Sequence, residues 1–437
     1  MTRPAISLES IAAGGVVGAG GAGFPTHVKL AGQAATIILN AAECEPLLHK
    51  DKELLRRWPD EILAGLQAAA ALVGARDIAV GIKGKYTGVI AHLEPRLPAG
   101  GRIVPLHDAY PTGDEFILVY DVTGKIVPPG GIPLDVGCVV INVETAFNIA
   151  RGRPVTEKFL TVAGAVKTPV TLQLPIGVSL REAIELAGGA TTDSPAVLVG
   201  GVMMGRLAGA LDEPITKTTG GLIVLPADHP VTRRYRADWK TVARIGASAC
   251  DQCSFCTEFC PRYLLGHPIE PHRAMRSLGF AENREPQVLG TQFCCECNLC
   301  TMMACPEDLD PKRVCAHNKH KLAATGRTWH IEPHPYRAEL HLDNRRVPVS
   351  RLMRKLGLDR FENTGPLAES DYAPRRVVLP LRQHVGAPAT PRVADGQRVA
   401  RGEPIATPAE GKLGAALHAS IAGRCRVESE QIVIEAS

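Results

Sequence analysis

Residues 250–261 read Cys250-Asp251-Gln252-Cys253-Ser254-Phe255-Cys256-Thr257-Glu258-Phe259-Cys260-Pro261. The pattern Cys-x2-Cys-x2-Cys-x3-Cys-Pro is the one with which bacterial proteins hold four-iron clusters. Three cysteines so spaced wrap one cubane while backbone amides point at its sulfurs. The fourth, carried away by the proline-bounded turn, serves a second cluster. A second run, Cys294-x2-Cys297-x2-Cys300-x4-Cys305-Pro306, has a last gap one residue longer than the standard pattern. Crossed ligation gives two [4Fe–4S] clusters, one on Cys250, Cys253, Cys256 and Cys305, the other on Cys294, Cys297, Cys300 and Cys260. Cys295 and Cys315 are left over, each either a substitute ligand or a buried thiol. The competing zinc reading suits two separate Cys-x2-Cys pairs better than four cysteines in one tight run.

Ten of the 13 cysteines lie between Cys250 and Cys315, leaving Cys44, Cys138 and Cys425 elsewhere. A disulfide framework suits a short secreted domain, and the N-terminus, Met1-Thr2-Arg3-Pro4, has no basic segment leading into an apolar core. Clustered cysteines therefore read as metal ligands in a cytoplasmic chain. The 437 residues exceed what one core serves, and 45% hydrophobic with 22% charged residues is ordinary globular composition. A net charge of +4 and an aromatic content of 4% argue against nucleic acid as a partner. No apolar run reaches ~18 residues, so no transmembrane segment is expected.

Upstream of the cysteines, Ile37–Leu39, Ile78–Ile82 and Cys138–Ile141 read as buried strands, and residues 60–73 read as a helix that Gly74 ends. This alternation predicts an α/β domain with a largely parallel sheet. Lys158–Val162 opens a unit of different texture, with a Ser179-Leu180-Arg181-Glu182 capping box, and predicts a small α+β module. Beyond the cysteines, residues 312–360 carry 12 Lys/Arg against 4 Asp/Glu, a solvated face or a docking face for an acidic redox partner. From Arg375 onward, closely spaced glycine turns between short apolar runs predict an all-β module. Residues 5–13 read as the opening helix of the first domain or as a short docking helix.

Gly18-Ala19-Gly20-Gly21-Ala22-Gly23-Phe24-Pro25 contains a formal G-x-G-x-x-G with Glu43 following 20 residues later. The dinucleotide-fold context fails, because Phe24-Pro25 stands where a helix should open and Ile11–Gly15 is a poor strand. Bare backbone amides still suit a phosphate or a flat ring, with Lys29 as countercharge. A flexible glycine turn is the alternative reading.

Gly18 to Lys29, Asn40-Ala41-Ala42-Glu43-Cys44-Glu45-Pro46, Lys50-Asp51, Tyr110–Glu115 and Asn142–Thr145 together resemble the flavin and NADH site of the complex I flavoprotein subunit. Thr161–Val166 is similar to the soluble-ligand-binding β-grasp (SLBB) domain. Two ferredoxin-type motifs then complete an order seen in the Rnf complex C subunit and in the cobalamin reductases of propanediol-utilisation microcompartments. Cys260-Pro261-Arg262, Leu264-Leu265-Gly266-His267, Pro271-His272-Arg273 and Cys294-Cys295-Glu296-Cys297 resemble the reductases. So does a barrel-sandwich module, around His384–Pro388 and His418–Ile421, that ends the chain instead of starting it.

The resemblance implies a multidomain α/β and α+β chain. Its parts are an FMN/NADH-binding domain (1–155), an SLBB β-grasp module (156–230), a ferredoxin-like dicluster domain (245–316), a basic connecting segment (317–374) and an all-β barrel-sandwich module (375–437). Carried over position by position, Gly18, Gly20 and Lys29 hold the flavin's phosphate side, and Gly23 counts among the cofactor-binding residues. Asn40, Glu43, Asp114, Glu115, Asn142 and Thr145 line the flavin or the nicotinamide, and Phe24, Glu45 and Glu115 face NADH. Two departures stand out: Ala42 replaces an acidic residue and Cys44 a glycine. The implied activity is electron transfer from NADH through FMN and two [4Fe–4S] clusters to cobalamin, reactivating a B12-dependent enzyme. The alternative is a relay subunit of an Rnf-like complex. Implied partners are a cobalamin adenosyltransferase or microcompartment proteins, and the implied location is inside a bacterial microcompartment. No acid–base residue is expected. His267, His272, His317 and His320 are expected to pack rather than ligate, and Lys412 to be an ordinary surface lysine.

Overall fold

In a computed structural model, residues 6–280, 285–329, 331 and 334–436 are described. Four parallel strands, Thr36–Ala41, Asp77–Lys83, Gly101–Leu106 and Cys138–Asn142, form the first sheet in the spatial order third, second, first, fourth. Their near-continuous apolar runs reflect burial on both faces. Ile37 and Leu39 point towards the helices Pro59–Val73 and Val143–Arg151. Ile38, Ala79 and Val140 point the other way, onto Leu118, Val119 and Val122 of the helix Glu115–Thr123. Gly74 ends the first of these helices with φ +70°, a left-handed conformation that glycine adopts without a Cβ clash.

The short helix Leu8–Ala13 buries Ile11 in the core, and residue 5 of the segment expected to open it lies outside the described residues. The second sheet has five strands, ordered Val170–Pro175, Glu157–Gly164, Gly221–Pro226, Pro195–Val199 and Arg206–Leu207. Its helix, Leu180–Leu186, starts with the capping box read from the sequence, Ser179 and Glu182 exchanging hydrogen bonds. The cysteine-bearing part is built from short helices and loops. The C-terminal part is all β, a four-stranded and a three-stranded sheet.

Part of the basic stretch is paired with acidic side chains of the same chain. Arg346 pairs with Asp121 at 2.6 Å, Lys319 pairs with Glu296 at 3.2 Å, and Arg345 pairs with Glu258. Val347–Pro348 adds a two-residue antiparallel pairing to Ala109–Tyr110, and Gly365 O accepts a 2.8 Å bond from Thr171 Oγ1. This part of the chain is a strap over the first two sheets. Among the described residues, no helix is long and apolar enough to cross a membrane.

Candidate redox site

The two cysteine runs fold alike. In the first, Gln252 and Ser254 have φ of +61° and +68°; at the matching positions of the second, Glu296 and Asn298 have +58° and +66°. Left-handed residues inside such short loops turn backbone amides inward, the concave arrangement found around Fe–S sites. Glu296 N donates to Cys294 Sγ at 3.4 Å and Leu309 N to Cys305 Sγ at 3.3 Å, while the amides of Arg262 and Tyr263 point at Cys260.

The long last gap of the second run is absorbed locally. Cys300–Ala304 forms a single π turn, closed by Cys305 N donating to Cys300 O at 3.1 Å. A π turn takes up one extra residue. Cys305 therefore emerges with φ −70° and ψ 119°, against −71° and 119° at Cys260.

Cys256 is surrounded by Cys250, Cys253 and Cys305, and burial together with these thiols pushes it up to about 12. Cys300 is surrounded instead by Cys294 and Cys260, with Cys256 further along, so the two groups adjoin. Several sulfurs held this close cannot all ionise against one another; a bound cation removes the penalty. Cys260, Cys294, Cys295, Cys297, Cys300 and Cys315 line one cavity. Among the described residues, no three Cys, His, Asp or Glu side chains close on a single point as a one-metal site requires. The residues present fit two polynuclear clusters.

The flavin candidates meet where the first sheet reverses its strand order. Asn40 and Asn142 are register partners at the carboxyl ends of adjacent strands, the crevice in which open α/β sheets bind ligands. Asn40 Nδ2 donates to Gly113 O at 2.9 Å, and Asn142 Nδ2 to Asp51 Oδ2 at 2.7 Å. The glycine loop is a hairpin pinned by Gly18 N donating to Phe24 O at 2.9 Å. Ala19 N donates to Thr145 Oγ1 at 2.9 Å, and Ala19 O accepts from Lys158 Nζ at 3.3 Å. Lys158 is itself buried against Glu144, which Lys50 also holds at 2.8 Å. Gly20 and Gly21 are exposed, and nothing stands within 4 Å of where a Gly21 Cβ would be. An open amide loop beside two asparagines, with the buried Thr112 hydroxyl left without a partner, fits a flavin.

Other candidates have visible partners already. Lys29 Nζ bonds Glu115 Oε1 and Val140 O, each at 2.9 Å. Glu45 accepts from Met203 N at 2.9 Å and Met204 N at 2.8 Å, and burial raises it to about 7. Glu43 is raised to about 7 by burial and by Asp51 beside it. Gly23 packs against Thr218 and His384, and Gly23 O accepts from Val385 N at 3.1 Å.

Asp114 receives Arg262 at 2.5 and 2.9 Å. The fully buried Tyr110 donates to Cys297 O at 2.6 Å. Tyr110 joins the flavin crevice to the Cys294–Cys300 loop and Arg262 joins it to the turn after Cys260, and no local pattern announces either contact. Of the four histidines, three pack, His267 against Val127 O and the Phe116 ring, His272 on Thr257 and His317 stacked on Trp239 at 3.8 Å, and His320 is exposed. Lys412 is exposed.

Four family models match the chain. They are the Nuo51 FMN-binding domain (residues 11–151), the SLBB domain (159–207), the 4Fe-4S dicluster domain (249–310) and the RnfC barrel sandwich hybrid domain (362–436). Cobalamin reductase PduS of Citrobacter freundii is 44% identical over 97% of this chain and 95% of its own length. Cobalamin reductase PduS of Salmonella typhimurium is 45% identical over the same shares. The chain belongs to the PduS cobalamin reductase family. The C subunit of the Na(+)-translocating ferredoxin:NAD(+) oxidoreductase complex of Acetobacterium woodii is 36% identical over 57% of the chain and 56% of its own length. Like its family, the chain is a flavin and iron–sulfur oxidoreductase, with FMN and [4Fe–4S] clusters as cofactors. The four family matches bear out the fold class read from the sequence.

Proposed function

We propose that this oxidoreductase takes electron pairs from NADH and delivers single electrons to cobalamin, reactivating a B12-dependent enzyme inside a bacterial microcompartment. When bound, FMN accepts a hydride and yields electrons singly, while the clusters carry one electron each. In this reading Gly18, Gly20 and Lys29 bind the flavin's phosphate side, Gly23 shapes the glycine loop, and Asn40, Glu43, Asp114, Glu115, Asn142 and Thr145 orient its ring. Phe24, Glu45 and Glu115 face the nicotinamide. Cys260, Cys294, Cys297 and Cys300 hold the cluster nearer the flavin; Cys250, Cys253, Cys256 and Cys305 hold the other. The labour divides among residues 1–155, 156–230, 245–316, the strap 317–374 and the module 375–437.

The observation that carries this reading is the join at Tyr110 and Arg262. Tyr110 puts the second cysteine loop, and Arg262 the turn after Cys260, against the flavin crevice, whereas Cys253 of the first run is exposed and able to pass electrons outward. The names of the relatives support cobalamin as acceptor and a nicotinamide nucleotide as a redox partner. Anaerobic NADH added to purified holoprotein should bleach flavin and cluster absorbance, and cobalamin added next should restore it. No bleaching removes NADH from the proposal. The likeness to the Acetobacterium woodii protein favours a second reading, a relay subunit that works only within an Rnf-like complex. NADH oxidation by the isolated chain with cobalamin as sole acceptor discriminates against it.

A further inference from the structure

The glycine hairpin needs holding. Glycine loses more backbone freedom on ordering than any other residue, and Gly14, Gly15, Gly18, Gly20, Gly21 and Gly23 follow one another closely. A loop that each ligand must order afresh binds weakly, and one fixed beforehand binds tightly. Thr145 and Lys158 fix Ala19 near the tip. The two ends are fixed from much farther along the chain. At the entry, Lys217 Nζ donates to Gly15 O at 2.6 Å and to Ala416 O at 2.7 Å. Gly15 has φ +64°, and a Cβ there would stand 2.3 Å from Ala416 O and 2.7 Å from Lys217 Nζ, so the backbones meet with no room for a side chain. At the exit, Val385 N donates to Gly23 O at 3.1 Å. A Gly23 Cβ would stand 2.7 Å from Thr218 Cγ2 and 3.2 Å from His384 Cα.

Lys217 and Thr218 lie just before the strand Gly221–Pro226 of the second sheet, whereas His384, Val385 and Ala416 belong to the all-β C-terminal part. Lys217 N donates to Gln383 Oε1 at 3.0 Å, which ties the same loop to that part a second time. The C-terminal part is itself seated on the second sheet, Val378 N donating to Gly177 O at 2.9 Å and Ser420 Oγ to Ile176 O at 2.6 Å. Lys217 is 3% exposed, and among the described residues no carboxylate pairs with it. Burying an ammonium without a counter-ion is costly, and an apolar side chain would fill the space without that cost. Only a multiple donor can hold two backbone carbonyls from separate parts of the chain at once. We propose that Lys217 is a positioning residue for the flavin and that the C-terminal all-β part is a wall of the flavin site. Together they hold both ends of the glycine hairpin, so that the bare amides at Gly20 and Gly21 are preset for FMN. The inference rests on FMN occupying the crevice beside that hairpin.

The test compares full-length wild type with Lys217→Met, Lys217→Arg, Gln383→Ala and Ile434→Ala. Ile434 is a buried core residue of the strand Gln431–Glu435, in the same C-terminal part but outside the segments that hold the hairpin. Iron content, unfolding temperature, hydrogen exchange of the peptide 14–25 and the FMN dissociation constant of the flavin-stripped protein are measured on each. Lys217→Met should exchange faster over 14–25 and bind FMN about tenfold or more weakly, with iron unchanged. Gln383→Ala should move both readings the same way by less, and Lys217→Arg, which keeps the donors, should recover part of the affinity. Ile434→Ala should lower the unfolding temperature and leave exchange over 14–25 and FMN affinity at their wild-type values. Wild-type FMN affinity in Lys217→Met and Gln383→Ala overturns the proposal. A loss in Ile434→Ala as large as in Lys217→Met overturns it too, by making the effect one of general stability. If Lys217→Met does not fold, Gln383→Ala decides alone. A wild type whose exchange over 14–25 is untouched by FMN overturns the placement of the flavin itself, and is recognised before any variant is made.

Discussion

Cys305 and Glu45 show how much a single side chain's setting decides. Cys305 leaves its π turn in the backbone conformation of Cys260 and lies among Cys250, Cys253 and Cys256. Replacing it with serine should therefore cost one cluster: iron per chain should fall from about eight to about four, with the flavin retained. Unchanged iron would mean that another thiol completes that set. Glu45 is held by two amides, yet burial raises it from 4.5 to about 7. A carboxyl raised in the folded state binds more protons there than in the unfolded chain between those values. Stability is then lost as pH rises through that window. Thermal unfolding of the flavin-free protein should shift to lower temperature from pH 5 to pH 7, and less steeply in Glu45→Gln. Equal slopes in the two proteins would count against the assignment. Glu43, raised for the same reason, should leave part of the slope in the variant.

Among the elements, the pair of helices behind the first sheet sets the flavin crevice. Val143–Arg151 starts at Asn142, whose Oδ1 accepts from Glu144 N at 2.9 Å, and it carries Thr145 on its first turn. It lies so close to Pro59–Val73 that a Cβ on Gly65 would stand 1.8 Å from Ala146 O. Gly65→Ala must push the two helices apart, at a cost of roughly 3 kcal/mol or more. The expected outcome is a lower unfolding temperature together with weaker FMN retention, read by flavin fluorescence after gel filtration. Unaltered FMN retention would show that the crevice does not depend on this packing. The elements themselves were mostly legible. The helix expected over 60–73 runs Pro59–Val73, the strand expected at 78–82 runs Asp77–Lys83, and the capping box stands at Ser179. Each depends on periodicity or on a cap within a few residues. The π turn was not legible: an extra residue in Cys300-x4-Cys305 says that something must yield, but not where.

For the whole molecule, the pairing of Val347–Pro348 with Ala109–Tyr110 and the contacts of Arg262 with Asp114 and Tyr110 with Cys297 bind the cysteine-bearing part and the strap to the flavin crevice. Arg262→Met should leave flavin and iron content intact while slowing cluster reduction after anaerobic mixing with NADH, about tenfold or more. The methionine leaves the buried Asp114 carboxylate without its partner and loosens the join. Equal rates in variant and wild type would place the electron path elsewhere. The cysteine spacing, the strand and helix periods and the glycine loop announced an iron–sulfur flavoprotein from residues near one another in the chain, because ligand loops, caps and amphipathic faces are local devices. Arg262 meeting Asp114 across 148 positions, and Tyr110 meeting Cys297 across 187, were decided by the tertiary structure alone. Such contacts form only when separate units pack, and a charge or a hydroxyl carries no mark in its own segment of the partner that packing will bring to it.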